Sequence, residues 1–353
     1  MAKKPRPIAC LTVALLAWLP VWANLPYRPI QWPADDQAHL QDPKVVTEWW
    51  YFAGKLTVSR GLEVRHFSYY VTLRYMRDIE GDIPTLDVQL TDLDEKRVYG
   101  NSVQLNDARL STFKTSIIAE DFQLEPSQDG YILRLTVPAG YSTISLDLTM
   151  TPLKKHLPIA NDLSQPGLVD MGSNTNSFYY VIPRMKTEGF LEIGSKKYTI
   201  NSDTQFSRSW MEHQWGDFSV PEVIKAHPWI WMSIQLQDGT DINIGQFIAP
   251  STGEIEGEGY ASISLPDGTV QYKKAQITLG NEYEDGYPLA YTVRIEDQTY
   301  QLRAVVANQD VNDVWMGMMS VNGQNVLLPN ASFAIVENTV YLKDKLPKKG
   351  RGF

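Results

Sequence analysis

Cysteine is almost absent from this sequence of 353 residues, and basic residues are scarce relative to acidic ones. The single cysteine, Cys10, lies in an N-terminal segment that we expect to be removed, which excludes disulfides, thiol catalysis and cysteine-ligated metal from the mature chain. Residues 1–23 contain three of the 32 basic residues and none of the 41 acidic ones, so the remaining 29 basic residues leave a formal charge of −12. Nucleic acid and anionic membrane surfaces are poor partners for such a chain.

Long apolar runs are also missing, apart from one at the N-terminus. That run covers about residues 8–22 and is shorter than the roughly 20 residues that a membrane-spanning helix needs. Three basic residues precede it, and a small-residue pattern that ends at Ala23 follows it. These features predict a secretory signal peptide over residues 1–23, with an uncleaved anchor as the alternative. We therefore expect a periplasmic or secreted protein, and we expect it to be a monomer.

Several catalytic motifs are absent as well. The sequence contains no Gly-x-Ser-x-Gly elbow, no His-Glu-x-x-His zinc motif, no Walker loop and no dinucleotide fingerprint after a strand. Glu212, His213 and His227 are spaced like no standard metal site, so we predict neither a metal nor a cofactor. The isolated His39, together with two similar histidines at positions 66 and 156, is interpreted as a surface or structural residue.

Short strands fill the chain where helical periodicity is missing. Segments such as "DGYILRLTVPAG" and "YTVRIEDQTYQLRAVVA" alternate apolar with polar residues and are rich in Val, Ile, Thr and Tyr. This pattern predicts an all-β protein made of sandwiches or up-and-down barrels, and the length favours two domains. Turn dipeptides separate the strands: Asp129-Gly130, Asp238-Gly239, Asp267-Gly268 and Asn322-Gly323.

Residues 153–176 are predicted as a long polar loop with Pro and Gly. Such loops are uncommon in compact domains and often have a function, for example as a lid over a barrel mouth. A surface insertion without consequence is the alternative interpretation.

Tryptophan is concentrated in three places. Six of the eight tryptophans beyond residue 23 lie in "TEWWYFAGKL", "SRSWMEHQWGDF" and "HPWIWMSIQL". In an extended strand, successive side chains point to opposite faces. The middle segment would then present Met211, His213 and Trp215 on one side, and Trp210 and Glu212 on the other.

Two interpretations of this clustering remain open. The first is an aromatic-lined cavity for an apolar small molecule, in which burial shifts the protonation of Glu212 or His213 toward general acid chemistry. The second is ordinary packing, with the tryptophans in the core and the two polar residues paired to the backbone or to an arginine such as Arg208.

The three segments resemble the AttH/CrtC family of lipocalin-like proteins, which includes carotenoid hydratases. The resemblance runs from about residue 47 to residue 248 and implies two lipocalin-like antiparallel β-barrel domains, residues 24–218 and 219–345, with the central motif near their junction. Glu212 and His213 are the candidates for catalysis, with Gly216 beside them. The substrate-binding residues that the resemblance implies are Glu48, Trp49, Trp50, Tyr51, Trp210, Trp215, Trp229 and Trp231.

Two segments depart from the family pattern. The hydratase branch carries a Tyr/Asp-containing strand after the paired tryptophans, whereas "INIGQF" has no carboxylate after Asp241. Near the C-terminus the family often has Trp-Glu-Gly and a strand like Gly-Tyr-Val-Glu-Leu-Thr, whereas this chain has "WMG" at residues 315–317 and then "LPNASFAIVEN".

Two function classes follow from the resemblance and the residues. One is a hydratase that adds water across a carbon-carbon double bond of an isoprenoid or similar lipid, with Glu212 or His213 as the acid and tryptophan faces shielding the cation. The other is a carrier that binds a hydrophobic molecule and passes it to an envelope transport system of the ABC type without chemistry. A serine hydrolase is disfavoured because the nucleophile motif is missing.

Overall fold

The computed structural model describes residues 25–77, 83–140, 142–249, 254–257, 259–311 and 314–340, and these residues form an almost entirely β structure. The prediction of an all-β fold is confirmed. The predicted signal peptide, residues 1–23, lies outside the described residues. Among the helices that the structure describes, none is both long and apolar enough to cross a membrane.

The described strands form two large sheets and a separate two-stranded sheet. A short α-helix, α1 (Val220–Ala226), lies in the chain between the strands of the first sheet and a second set that includes the two-stranded sheet. The first sheet contains β1 (Thr47–Arg60), β2 (Glu63–Met76), β3 (Thr85–Asp92), β4 (Arg97–Gln104), β5 (Arg109–Leu110), β6 (Ile117–Ala119), β7 (Phe122–Pro126), β8 (Tyr131–Ala139), β9 (Ser142–Pro152), β10 (Leu157–Pro158), β11 (Leu168–Gly172), β12 (Thr175–Ile193), β13 (Lys196–Ile200) and β14 (Arg208–Gly216). The second set contains β15 (Trp229–Gln235), β16 (Asp241–Phe247), β17 (Gly259–Ser264), β18 (Val270–Leu279), β19 (Tyr283–Glu284), β20 (Tyr287–Pro288), β21 (Ala290–Ile295), β22 (Gln298–Ala304), β23 (Asp310–Val311), β24 (Val314–Val321) and β25 (Phe333–Asn338).

The first sheet is an antiparallel meander that curls around its own apolar core. Its strand order is β4-β3-β2-β1-β13-β12-β9-β8-β7-β6-β5, and β14 bridges the long strands β1 and β12. The curl brings β4 back to β8, where the Asn101 side-chain amide donates to the Pro138 carbonyl at 2.7 Å. The core inside the curl contains alternate residues of these strands, among them Trp50, Leu133 and Met211.

The second sheet closes on itself. Strands β15 to β18, β21, β22, β24 and β25 form an eight-stranded antiparallel barrel, because β22 pairs with β24 at the end of the path. Ile230, Met232 and Ile234 of β15 point into the barrel core, so the residues between them point outward. The predicted turn dipeptides all lie between consecutive strands of the two sheets, as hairpin geometry requires.

The two sheets pack through their outer faces. A third apolar cluster lies between them, and it contains residues from β1, β12 and β14 on one side and from β15, β24 and β25 on the other. Polar contacts fasten the edges of this junction. The carboxylate of Asp241 forms ion pairs with Arg184 at 2.9 Å and with Lys154 at 2.8 Å, and all three side chains are buried or nearly so.

Candidate functional site

Strand β14 is held between two neighbours and is buried along its whole length. Antiparallel pairing places Glu212 opposite Tyr51 of β1 and opposite Val181 of β12. The pleat sends adjacent residues to opposite faces, so Glu212 points toward the junction of the sheets and His213 into the core of the first sheet.

Close packing at the end of this strand requires a residue without a side chain. A Cβ atom on Gly216 would lie 2.2 Å from the Asn176 carbonyl oxygen, which is far inside van der Waals contact. Glycine therefore allows β14 and β12 to stay paired as far as the mouth of the site.

A cavity of about 300 Å³ opens at the junction of the sheets, and we call it the junction cavity. It lies between the outer faces of the sheets and not at a barrel mouth. Its size is at the lower end of the range for small-molecule sites. The lining is rich in aromatic residues and contains four carboxyl groups, of which those of Glu212 and Glu337 are buried. The residues that matter for its chemistry are Trp49, Tyr179, Glu212, Trp229, Trp231 and Glu337.

The carboxyl group of Glu212 is buried in the wall of this cavity. Its Oε1 accepts a hydrogen bond from the indole Nε1 of Trp49 at 2.6 Å, and its Oε2 accepts one from the hydroxyl of Tyr179 at 2.5 Å. Burial raises the pKa of Glu212, the charge of Glu337 raises it further, and the two hydrogen bonds lower it only in part, to a value of about 8. At neutral pH this side chain is therefore mostly a protonated acid.

A second carboxyl group, Glu337, comes from β25 of the barrel. It is paired in the sheet with Trp231 of β15, and its Oε1 accepts a hydrogen bond from the indole Nε1 of Trp229 at 2.7 Å. Burial raises the pKa of Glu337 to about 7 against the opposing effect of the Trp229 hydrogen bond. Two of the glutamates that line the cavity, Glu212 and Glu337, thus each accept a hydrogen bond from an indole and have pKa values close to neutrality.

One further donor lies buried in a residue that lines the cavity. The indole Nε1 of Trp231 is buried and has no hydrogen-bond partner among the described residues. Its ring lies 4.4 Å from that of Trp210, measured between centroids, and this contact sets its orientation. An unpaired buried N–H favours a ligand that brings an acceptor to it.

The predicted long loop, residues 153–176, forms one wall of the cavity. The structure corrects part of that prediction, because β10 and β11 lie within this segment and both pair with β12. Residues 159–161 and 169–172 line the cavity. At the rim, Nδ1 of His227 is 2.7 Å from the Glu256 carboxylate. Gly172 packs against His227 with a φ of +80°, a conformation that favours glycine.

Six residues predicted from the sequence meet at the junction. Trp49, Glu212, Trp229 and Trp231 line the cavity. Tyr51 and Trp210 lie directly behind them in the same cluster. The Tyr51 ring is 5.0 Å from that of Trp210, and the Trp210 indole donates to Asn243 at 3.0 Å.

The other four predicted residues, Glu48, Trp50, His213 and Trp215, lie on the opposite face and form a buried group with His39. We call this group the histidine cluster. Oε1 of Glu48 is 2.9 Å from Nε2 of His213 and 3.0 Å from Nδ1 of His39. Trp50 stacks on His213 at 4.6 Å and Trp215 on His39 at 4.0 Å, between ring centroids. His39, interpreted from the sequence as isolated, is buried here beside two partners.

Protonation in the histidine cluster follows from burial and from these contacts. Burial lowers the pKa of His213, and the neighbouring Glu48 offsets this only in part. Burial also acts to lower the pKa of His39, but hydrogen bonds to Asp35 and Glu48 outweigh it and the pKa is raised. Burial would raise the pKa of Glu48, but hydrogen bonds from the two histidines lower it. The surroundings therefore favour the charged forms of His39 and Glu48 and the neutral form of His213.

The same three side chains could in principle bind a metal, since each offers one donor atom and these atoms lie within 4.8 Å of one another. A metal on Nε2 of His213 would require Nδ1 to carry a proton, and Nδ1 is buried without a partner among the described residues. An unpaired buried N–H donor costs about 1–3 kcal/mol. Without a metal, Nε2 of His213 carries the proton and donates it to Glu48, so Nδ1 has only a lone pair. This hydrogen-bonded network therefore fits the surroundings of His213 better than a metal site does.

Of the six residues given above for the chemistry of the junction cavity, two are not among those predicted from the sequence. Tyr179 lies in "FYYVIPRM", which carries no predicted site residue, and Glu337 lies in "FAIVEN", within the segment that departs from the family pattern. A glutamate within an apolar strand was the available signal for Glu337. Nothing in the sequence tells which of two adjacent tyrosines lines the cavity. In the structure Tyr179 lines it, whereas the Tyr180 hydroxyl donates to Asp36 inside the first sheet.

Comparison with solved structures gives relatives of the same fold. A protein described as AttH from Nitrosomonas europaea superposes with a TM-score of 0.71 at 16% identity, covering 90% of this chain and 98% of that one. Kievitone hydratase from Nectria haematococca gives a TM-score of 0.66 at 16% identity, covering 88% and 93%. CghA gives 0.52 at 7% identity, covering 84% and 89%.

Sequence comparisons are consistent with this fold. A search of curated protein sequences finds no match. The family model for AttH-like proteins matches residues 23–341, which is nearly the whole chain. The chain therefore belongs to the AttH-like family.

Proposed function

We propose that this protein is a hydratase, which adds water across a carbon-carbon double bond of a small apolar molecule bound in the junction cavity. The observation that carries the proposal is the pair of indole-bound glutamates, Glu212 and Glu337, on one aromatic-lined cavity. Environments that separate the protonation of two nearby carboxyls are a common way to obtain one acid and one base.

In this proposal the acid side supplies a proton to the double bond. The carboxyl of Glu212 is mostly protonated at neutral pH because of its burial. An acid of this strength protonates an alkene only if the cation is stabilised as it forms. The faces of Trp229 and Trp231 and the carboxylate left on Glu212 provide that stabilisation.

Glu337 acts as the base that completes the addition. Glu337 is partly ionised near pH 7, so it can accept a proton from the water that attacks the cation. The product is an alcohol, and the proton that Glu212 lost is matched by the one that Glu337 gained. Exchange with solvent through the rim at His227 and Glu256 restores the starting protonation.

One further line supports the proposal. One structural neighbour is named a kievitone hydratase, so the fold is compatible with hydration of a small molecule. The ligand that we propose is a hydrophobic small molecule, and the site of action is the periplasm or the exterior of the cell, as the predicted signal peptide implies.

The test is label incorporation from water. Purified wild-type protein is incubated with a total lipid extract of its own cells in H₂¹⁸O, and extracted species are followed by mass spectrometry. We expect at least one species to gain one labelled water with the wild type and none with Glu212→Gln or Glu337→Gln. Glu188→Gln, a change at an exposed residue, is the matched control and should behave as the wild type.

The carrier function is the outcome that would overturn this proposal. In that case native mass spectrometry would find the same unsaturated molecule bound to the wild type and to both cavity variants, and no species would gain label. Absence of both label and bound ligand would also refute hydration and would mean that the aromatic residues serve only in packing.

A further inference from the structure

The two hydrogen bonds of Glu212 differ in kind. The indole N–H of Trp49 can only donate, so Oε1 of Glu212 must act as the acceptor in this contact. The hydroxyl of Tyr179 can either donate or accept. The oxygen against the indole is therefore the carbonyl-like one, and a proton on the carboxyl belongs on Oε2.

Protonation of Oε2 reverses the contact with Tyr179. Two hydrogens cannot lie between the same pair of oxygens, so the carboxyl O–H donates to the phenol oxygen and the phenol O–H has to turn away from Glu212. Tyr179 lines the junction cavity, so a ligand in the cavity can receive this hydrogen. The acid proton of Glu212 itself then faces Tyr179 and not the ligand.

We propose that Tyr179 is a catalytic residue whose hydroxyl donates the proton to the ligand, and that Glu212 reprotonates Tyr179 in the same step. This inference rests on the proposed hydratase function and deepens it. The hydroxyl hydrogen of Tyr179 goes to one carbon of the double bond, while the proton on Oε2 of Glu212 moves to the phenol oxygen. Water adds to the other carbon and gives up its proton to Glu337. One alkene and one water yield one alcohol, and the phenol ends the step neutral.

The relay lets Tyr179 donate a proton without forming a phenolate. Burial together with the nearby Glu212 raises the pKa of Tyr179 well above 10, so the phenol on its own is a poor acid. In the relay the phenol never becomes an anion, because the proton from Glu212 arrives as its own proton leaves. The negative charge ends on a carboxylate that already has an indole donor in place.

Two variants of buried tyrosines test the relay. Tyr179→Phe removes only the hydroxyl, and Tyr69→Phe is the matched control, since Tyr69 has a hydroxyl bonded to Ser209 at 2.6 Å in the core of the first sheet. With the same lipid extract in H₂¹⁸O, we expect Tyr179→Phe to lower the rate of label incorporation about 100-fold or more, as loss of a general acid does. The rate of label incorporation by Tyr69→Phe should stay within about twofold of the wild type, because this variant retains both Tyr179 and Glu212.

A second readout separates the relay from a purely structural role. The Tyr179 hydrogen bond lowers the pKa of Glu212, so its loss should move the alkaline limb of the residual rate to higher pH. The infrared carbonyl band of protonated Glu212, isolated by subtracting the spectrum of Glu212→Gln, should shift in Tyr179→Phe because the carboxyl O–H has lost its acceptor. This band is measured without any ligand.

The outcomes distinguish the two proposals. If the wild type incorporates label, Glu212→Gln does not, and Tyr179→Phe retains a rate within about threefold, Glu212 transfers its proton directly and the relay is refuted. If the infrared band is unchanged in Tyr179→Phe, the reversed hydrogen bond does not exist and the relay is again refuted. If the wild type incorporates no label, the hydratase function itself fails.

Discussion

Replacing Glu212 by glutamine should stabilise the protein at neutral pH and leave it little changed in acid. The amide keeps the shape of the side chain, accepts from the Trp49 indole through its oxygen and donates to the Tyr179 oxygen through its nitrogen. The difference between the two proteins is then the titration of one buried carboxyl group.

The magnitude follows from the pKa in each state. The carboxyl of Glu212 titrates at about 8 in the folded protein and at its ordinary value of 4.5 in the unfolded chain. Between these values the folded state binds the extra proton, so the free energy of unfolding of the wild type is highest below pH 4.5 and falls as the pH rises toward 8. From pH 4.5 to pH 7 the loss is about 3 kcal/mol at 1.36 kcal/mol per unit, and the glutamine variant escapes it.

Urea denaturation at pH 4.5 and at pH 7 measures this. The free energy of unfolding of Glu212→Gln minus that of the wild type should increase by about 3 kcal/mol between the two conditions. The exposed Glu188→Gln serves as the control and should show a flat difference, since exposed ion pairs such as Glu188–Lys186 contribute little. A flat difference for Glu212→Gln as well would mean that the carboxyl titrates normally, and both the acid role and the relay would lose their basis.

Two further predictions test the separate role of the histidine cluster and the importance of the ion pairs between the two sheets. His213→Ala should lower the free energy of unfolding by about 2–4 kcal/mol because it leaves the buried Glu48 carboxylate short of a donor, yet label incorporation per folded molecule should stay within about threefold of the wild type; a complete loss of turnover in a folded variant would contradict this separation of the two faces. Asp241→Asn should cost about 3–5 kcal/mol in urea denaturation because Arg184 and Lys154 keep buried charges without their carboxylate; a cost below about 1 kcal/mol would show that the junction does not depend on this contact.

The all-β architecture could be predicted because its causes are local. Alternation of apolar and polar residues gives strands, and Asp-Gly and Asn-Gly dipeptides give the turns between them. The packing of the two sheets could not be predicted in the same way. Which outer faces meet depends also on residues such as Met318 and Ile335, which the sequence shows only as ordinary apolar strand residues.

The candidate site was predictable along β14 and less so elsewhere. The period of two along a strand predicts that Glu212 and His213 lie on opposite faces, and the structure agrees. Glu337 comes from a strand more than a hundred residues later, and only the pairing of β25 with β15 brings it to the cavity. His39 lies in an N-terminal segment with little regular structure, so no periodicity could connect it to Glu48.

The alternation of β14 also has a consequence for redesign. The even-numbered positions 212 and 214 of this strand line the cavity and Trp210 packs directly behind it, whereas odd-numbered positions belong to a core that must stay filled. An engineer who wishes to change the ligand should therefore vary Gln214, keep Glu212 for the chemistry, and leave Gly216 and the odd-numbered positions unchanged. A single inserted residue would exchange the two faces of the strand, so we expect this stretch to tolerate substitution of Gln214 and to reject any change of length.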